Sequence, residues 1–589
     1  MAWGFRRKET VDDYIGILIP LDKAHLYSHS AKHGKLNYEH VNDTDMEELL
    51  DDVEMQERQG EDEHEHETEN ETRGMLQTRD FEYSIKGLRA ETRRGQGSGR
   101  NGSWTPYEIK SKLINKAIQD IGMGRYNWQL FFVCGFGWFA DNLWLQGASL
   151  TLPSLSARFD IGEKEVRYTT SALFLGLSLG SSVWGIGSDY TGRRIPFNTT
   201  LLIAAIFGMA SAFNQSWGGV CFTYAALGSG VGGSLPVDGA LFLEFLPDAN
   251  SSLLTMLSVW WPVGQLVSSL IAWYTMANWP VDEGWRLFMA TIGIMTFAMF
   301  AVRFFIFRLL ESPKFLLNQG RQDEAVAVVH AIAYRNGTKT WLTSEILDEV
   351  AGTDDTSADR HRPQPTGGLK QKLSKFSGDK MNQLFKEPKL RLATILIWTA
   401  WAAIGMGYPL FAAFLPQYFS KYSNADVQSE TSSISGETYR NYAITSICGV
   451  PGSILATWLV EQNSRFLGRK GTLACSTLLS AVFQLAFVIW GTSSTRQLIF
   501  SCVGAFTQNI MYGVLYAYTP EIFPAPVRGA GTGVASFLNR ITGLFAPVLA
   551  ANLPGDAAEG PIYASALLIA IAFVSMCFIP IETRGAQRL

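Results

Sequence analysis

Twelve blocks of about 20 predominantly apolar residues recur along this chain, each the length an α-helix needs to cross a bilayer. In lipid the backbone polar groups must be satisfied within the protein, which leaves helices and closed barrels, and continuous apolar blocks of this length fit helices. Six fall at about 129–152, 168–187, 197–213, 218–243, 253–275 and 286–308, and six more at about 392–416, 442–460, 472–490, 497–518, 531–552 and 562–580. Pro236, Pro262, Pro451 and Pro547 lie inside them, which is ordinary in a span. With 589 residues, 47% of them apolar, the chain is too long for one soluble core. Its net charge of −5 comes from acids crowded into the first 130 residues, which excludes nucleic acid as a partner.

The two sets of six share a second regularity. The turn Gly185-Ile-Gly-Ser-Asp189-Tyr-Thr-Gly192-Arg193-Arg194 returns as Glu461-Gln-Asn-Ser-Arg465-Phe-Leu-Gly468-Arg469-Lys470, so Gly192 and Gly468 lie 276 positions apart. Glu244 in LEFLP matches Glu521 in PEIFP at 277, and Glu311 in ESPK matches Glu582 in ETRG at 271. Three ordered pairs at one period predict a duplicated chain with two equivalent halves. Arg193 and Arg194, Arg465, Arg469 and Lys470, and Arg528 alternate correctly for an even number of spans with both termini in the cytoplasm.

The expected organisation is therefore a cytoplasmic acidic, mostly disordered tail with a juxtamembrane amphipathic helix over 1–127, a six-helix bundle over 128–317, a cytoplasmic central loop over 318–390, and a second six-helix bundle with a short tail over 391–589. The tail holds the acidic run 61–71, in which His64 and His66 offer no more than a weak metal-binding pattern. From Pro106 to Gly122, Ile109, Leu113, Ile114, Ala117, Ile118 and Ile121 recur at helical spacing. That helix either lies on the inner leaflet or packs on the membrane-embedded body. A helix over 320–334, a Pro/Gly/Ser-rich linker and a long polar loop at 419–441 complete the connections. The run Gly228-Ser-Gly230-Val-Gly232-Gly233 predicts a close helix crossing rather than a nucleotide loop, since no strand precedes it. The six cysteines have neither metal nor disulfide spacing, and no secretory leader opens the chain.

The chemistry must lie with the polar residues inside the spans. All eight histidines fall outside them, so a proton carrier in the membrane has to be a carboxylate. Asp141 and Asp238 are the candidates; Arg540 is the cation well inside a span, while Arg303 sits near a span end and can snorkel. Either acid with Arg540 could form a structural ion pair, or the three could serve coupling and substrate contact. Gln265 and Gln508 join them, because an amide in a span needs a partner, and Asn142 beside Asp141 is a further candidate. Trp138, Trp144, Trp260, Trp261, Tyr408, Tyr512 and Tyr516 lie in spans able to line a central cavity. No nucleophile–base set, metal cluster or phosphate loop is present, so no enzyme and no cofactor are expected.

GIGSDYTGRR, ESPKFLL, YTPEIFPAPVRG and the closing PIETRG resemble the signature set of the major facilitator superfamily, in its sugar-porter and synaptic-vesicle-protein-related branches. GFGWFADNLWLQG and NRITGLFAP are closer to the latter branch, and the resemblance covers about residues 106 to 585. It implies an all-α membrane protein of 12 transmembrane helices in two pseudo-symmetric six-helix bundles, which rock about a central site. It further implies that the turns around Gly185, Gly192 and Gly468 latch the cytoplasmic side. Asp189, Arg193 and Arg194 would form the first latch, and Glu461 with Arg469 an altered second one. Glu244, Glu311, Glu521, Arg528 and Glu582 would complete its charge network. Two departures weigh against a hexose: the seventh span has no glutamine pair, and Tyr224 replaces an arginine ahead of the fourth-span glycines. Asp141 lies at a position resembling the family's acidic site. The function implied is proton-coupled symport of a small organic solute, carboxylate-bearing or sugar-like, by a monomer in the plasma membrane, an intracellular vesicle or the vacuole. A facilitator, an antiporter and a nutrient sensor signalling through its tail are the alternatives.

Overall fold

The structure is a computed structural model describing residues 9–24, 83–94, 106–247, 250, 252–352, 384–415, 418–419, 436–461, 468–523, 525–552 and 559–581. The acidic run 61–71 with His64 and His66, the linker after residue 352, most of the 419–441 loop and Glu582 lie outside the described residues.

Twelve long helices occupy the expected places. The first six are Arg125–Phe159, Tyr168–Thr191, Arg194–Ser211, Trp217–Phe245, Leu253–Asn278 and Val281–Ile306; the last six are Pro388–Ala412, Gly436–Glu461, Arg469–Trp490, Ser494–Ile522, Ala525–Asn552 and Glu559–Cys577. Among the described residues, ten of them, from the third on, are long and apolar enough by themselves to cross a membrane. Asn127, Asp141, Asn142 and Gln146 are buried in the first, and Thr169, Thr170, Ser178 and Ser188 in the second. Each also keeps an exposed apolar face, with Trp128 and Phe132 on the first and Leu175, Leu179 and Val183 on the second.

The halves repeat each other's packing. The second and third spans lie along the fourth, as the eighth and ninth lie along the tenth, and the first packs on the fifth as the seventh does on the eleventh. The halves meet where the second span lies on the eleventh and the fifth on the eighth. The predicted close crossing in the fourth span is present: a Cβ on Gly232 would stand 2.2 Å from the Leu177 carbonyl oxygen, so only glycine lets the two backbones meet there.

Beside the bundles sits a small helical unit built from both the tail and the central loop. Its loop members are Pro313–Asn318, Gln322–Asn336 and Ser344–Ala351, the last two ended by Gly337 and Gly352 at positive φ. The amphipathic helix Pro106–Ile121 packs on them and buries Leu113, Ile114, Ala117, Ile118 and Ile121. Of its two expected placements, protein therefore wins over lipid for that face. The tail contributes more than a disordered expectation allows. Ile17 and Ile19 are buried; Ile19 N donates to Thr340 O at 3.1 Å, Thr340 N donates to Ile17 O at 3.0 Å, and Glu9 pairs with Arg308 at 3.1 Å. Within the unit His330 is buried with Nε2 2.7 Å from Leu342 O, and burial pulls its protonation below the ordinary histidine range.

Candidate functional site

The polar residues of the spans converge between the halves. A cavity there holds ≈ 960 Å³ of empty space, counted with its part open to solvent, and it is lined by residues of both bundles. Asp141, Asn142 and Gln265 come from the first half, and Tyr408, Gln508, Tyr512 and Arg540 from the second. A buried charge is tolerated in a span when it is paired or faces a wet cavity, and this arrangement offers both. Arg540 Nη2 stands 3.7 Å from Asp141 Oδ1, an ion pair too long for a hydrogen bond. Asp141 Oδ2 accepts from Asn142 Nδ2 at 3.2 Å, while Oδ1 is buried without a hydrogen-bond donor. Gln265 Nε2 donates to Asn142 Oδ1 at 2.7 Å and to the Tyr408 hydroxyl at 3.0 Å.

Two expected site residues lie elsewhere. Asp238 does not meet Arg540: it pairs with Arg303, whose Nη2 is 2.6 Å from Asp238 Oδ2, and both side chains are fully buried inside the first bundle. Nor does Arg303 snorkel. Its guanidinium also donates to Val133 O at 3.0 Å and Phe197 O at 2.8 Å, and it lies 3.9 Å from the Phe197 ring centre. Trp138 is outside the cavity lining and stacks on Trp261 at 4.7 Å, with Tyr516 of the second half packed against both. Of the other tryptophans, Trp144 donates from Nε1 to Thr296 at 3.1 Å, and Trp260 packs against Phe131 and Phe132.

Sequence reasoning missed Gln146, Asn509 and Asn539, which also line the cavity. The rule that an amide in a span needs a partner would have found them. It would equally have chosen Gln484, whose Oε1 accepts from Ser565 Oγ at 3.0 Å away from the cavity.

At the Arg193 end of the bundles the expected charge network is partly visible. Gly192 turns at φ 86°, and Arg193 N donates to Glu311 Oε1 at 2.9 Å. Arg193 Nε stands 3.5 Å from Glu244 Oε1; in the second half Arg469 pairs with Glu521, the same partnership one repeat later. Burial holds Glu311 above the ordinary glutamate range, against the hydrogen bonds from backbone N–H groups of Ser312, Arg193 and Arg194. Gly185 lies within the second span and Gly468 caps the start of the ninth. The side chains of Asp189, Glu461 and Arg528 lie outside the described residues. At the opposite end, the buried Arg167 crosses between the halves, donating to Ala550 O at 2.8 Å and lying 5.0 Å from the Phe414 ring centre.

Residues 130–587 match the family described as "Sugar (and other) transporter". The chain belongs to that family of the major facilitator superfamily. The transporter is 42% identical over 499 residues to the MFS siderochrome iron transporter 1 of Ceriporiopsis subvermispora, covering 82% of this chain and 92% of the relative. It is 38% identical over 499 residues to the major facilitator-type transporter hxnZ of Emericella nidulans, covering 81% and 88%. The synaptic vesicle 2-related protein of Bos taurus is 25% identical over 528 residues, covering 86% and 88%. Among solved structures, the proton:xylose symporter XylE superposes with a TM-score of 0.58 at 16% identity, covering 79% of this chain and 98% of that one. That likeness establishes the fold. The protein is a multi-pass membrane transporter and not an enzyme.

Proposed function

We propose that this transporter moves a small organic solute bearing a carboxylate by proton-coupled symport, with the two bundles alternating access to the central cavity. The observation that carries the reading is the loose Asp141–Arg540 pair in the cavity wall. A carboxylate between two bundles can exchange its proton with either side as its access to water alternates. Arg540 makes no hydrogen bond from its guanidinium among the described residues, so its planar set of donors is available to a substrate carboxylate in bidentate fashion. A sugar-like solute is the second reading, favoured by Gln508, Asn509 and Asn539 in the same wall. The Arg193–Glu244 and Arg469–Glu521 pairs act as the latch that opens and closes one face, which we read as cytoplasmic together with both termini. The chain acts as a monomer.

The test is uptake into proteoliposomes under an imposed pH gradient, with labelled gluconate and xylose as probes. Asp141→Asn should abolish gradient-driven accumulation while leaving exchange of the transported probe measurable. Undiminished accumulation by the Asn variant would remove Asp141 from the mechanism. Dependence of gluconate, but not xylose, uptake on Arg540 separates the two substrate readings.

A further inference from the structure

Asp141 is held by a chain of contacts that begins and ends on the opposite half. Arg540 of the eleventh span lies 3.7 Å from its Oδ1. On its other oxygen the order runs from Asn142 through Gln265 of the fifth span to Tyr408 of the seventh, at 3.2, 2.7 and 3.0 Å. Each member constrains the next. An ionised carboxylate can only accept, so Asn142 must turn its amide nitrogen toward it and its Oδ1 away. Gln265 supplies the donor that Oδ1 then needs, and the same nitrogen reaches across to the Tyr408 hydroxyl. While both bonds stand, Asn142 cannot offer Asp141 its carbonyl, which is the group a protonated carboxyl would seek as acceptor. The other titratable groups facing Asp141 are Arg540 from the eleventh span, Tyr408 from the seventh, and Tyr512 and Tyr516 from the tenth. None of these tyrosines hydrogen-bonds to it among the described residues.

We infer that Gln265 is a positioning residue that ties the charge of Asp141 to contact between the two halves. The inference rests on Asp141 being the proton carrier. Contact with Tyr408 fixes Gln265, Gln265 fixes Asn142, and the fixed Asn142 favours ionised Asp141. When Tyr408 withdraws, the two amides are free to turn, and a protonated Asp141 can donate to Asn142 Oδ1. The proton is exchanged between Asp141 and water; only the amides move.

Protons alone serve as the probe. The full chain in lipid nanodiscs is titrated and the carboxyl stretch of protonated Asp141 is followed by infrared difference spectroscopy, its band being the one lost in Asp141→Asn. Gln265→Leu should move the pH at which half of that band has appeared upward by about one unit. Tyr408→Phe, which removes a single oxygen and spares the fold, should move it less in the same direction. A merely structural role would lower the melting temperature and leave the midpoint in place. Midpoints unchanged or lowered in both variants would overturn the inference while leaving proton coupling intact. Absence of any titrating Asp141 band in the wild type would instead bring down the proton-carrier reading itself, and this inference with it.

Discussion

Among the described residues of this transporter two aspartate–arginine pairs are buried, and they are built in opposite ways. At Asp238–Arg303 almost every polar atom is used. The guanidinium bonds both carboxylate oxygens at 3.4 and 2.6 Å and takes three backbone carbonyls besides, and both side chains are 0% exposed. At Asp141–Arg540 the ions stand 3.7 Å apart, one carboxylate oxygen lacks a donor, and both partners line the cavity. Burying a charge costs several kcal/mol unless its bonds are complete. The first pair has offset that cost within one bundle and can only hold the first, third, fourth and sixth spans together. The second has left donors and acceptors unspent at the junction of the two bundles, as the proposed exchange of a proton or an anion would require.

The comparison is open to attack on stability first. Arg303→Leu leaves Asp238 as an uncompensated charge and should cost about 3–5 kcal/mol, read as a fall in the melting temperature of the purified protein. Adding Asp238→Leu should recover most of the loss, because a buried pair replaced on both sides is often neutral. Asp141→Asn should cost under about 1 kcal/mol, since it removes a charge whose bonds were never complete. Equal losses for Arg303→Leu and Asp141→Asn would erase the distinction between the two pairs.

A smaller effect sharpens the same point from the neighbouring backbone. A Cβ on Gly137 would lie 1.8 Å from Asp238 Oδ2 and 3.1 Å from Arg303 Nη2. Gly137→Ala in a helix would ordinarily be stabilising by under about 1 kcal/mol. Here it must push the sealed pair apart, and a loss of about 1–3 kcal/mol is expected in the same melting assay. A neutral or stabilised variant would show that the Asp238–Arg303 bonds yield more easily than their geometry suggests.

The smallest effect contrasts both pairs with a carboxylate outside the membrane. Burial raises Glu311 above its ordinary value of 4.5, so the folded chain keeps this proton where the unfolded chain has lost it. Its contribution is thus full below 4.5 and is given up as pH rises through the raised value. Glu311→Gln cannot titrate, yet its amide oxygen can still accept from Arg193 N. The melting temperature of the wild type relative to the variant should fall over the pH range just above 4.5. A relative rise over that range would show that the backbone N–H groups outweigh burial.

How far each residue lies along a span was legible in the sequence; which way it faces in the bundle was not. The apolar blocks read as helices because each is continuously apolar over the length a helix needs to span lipid, and the offset of 276 between Gly192 and Gly468 marked two halves before any packing was known. Asp141 and Arg540 could be named as buried charges on the same ground. Their being partners could not, since Asp238 was an equal choice until the sixth span ended in a π-turn over Val302–Ile306 that holds Arg303 inside the first bundle. The 3.6-residue rhythm of Pro106–Ile121 announced an apolar face but was silent on whether lipid or protein covers it; the central loop does. The tail's composition argued for disorder. Yet Ile17 and Ile19 are buried because Thr340, more than 300 positions away, offers them a backbone to pair with. Sequence determines what a segment must hide, because hydrophobicity and helix period are local properties. Tertiary structure alone decides what it hides against, because an ion pair, a cavity wall or a strand pairing is a meeting of segments whose relative rotation no local pattern contains.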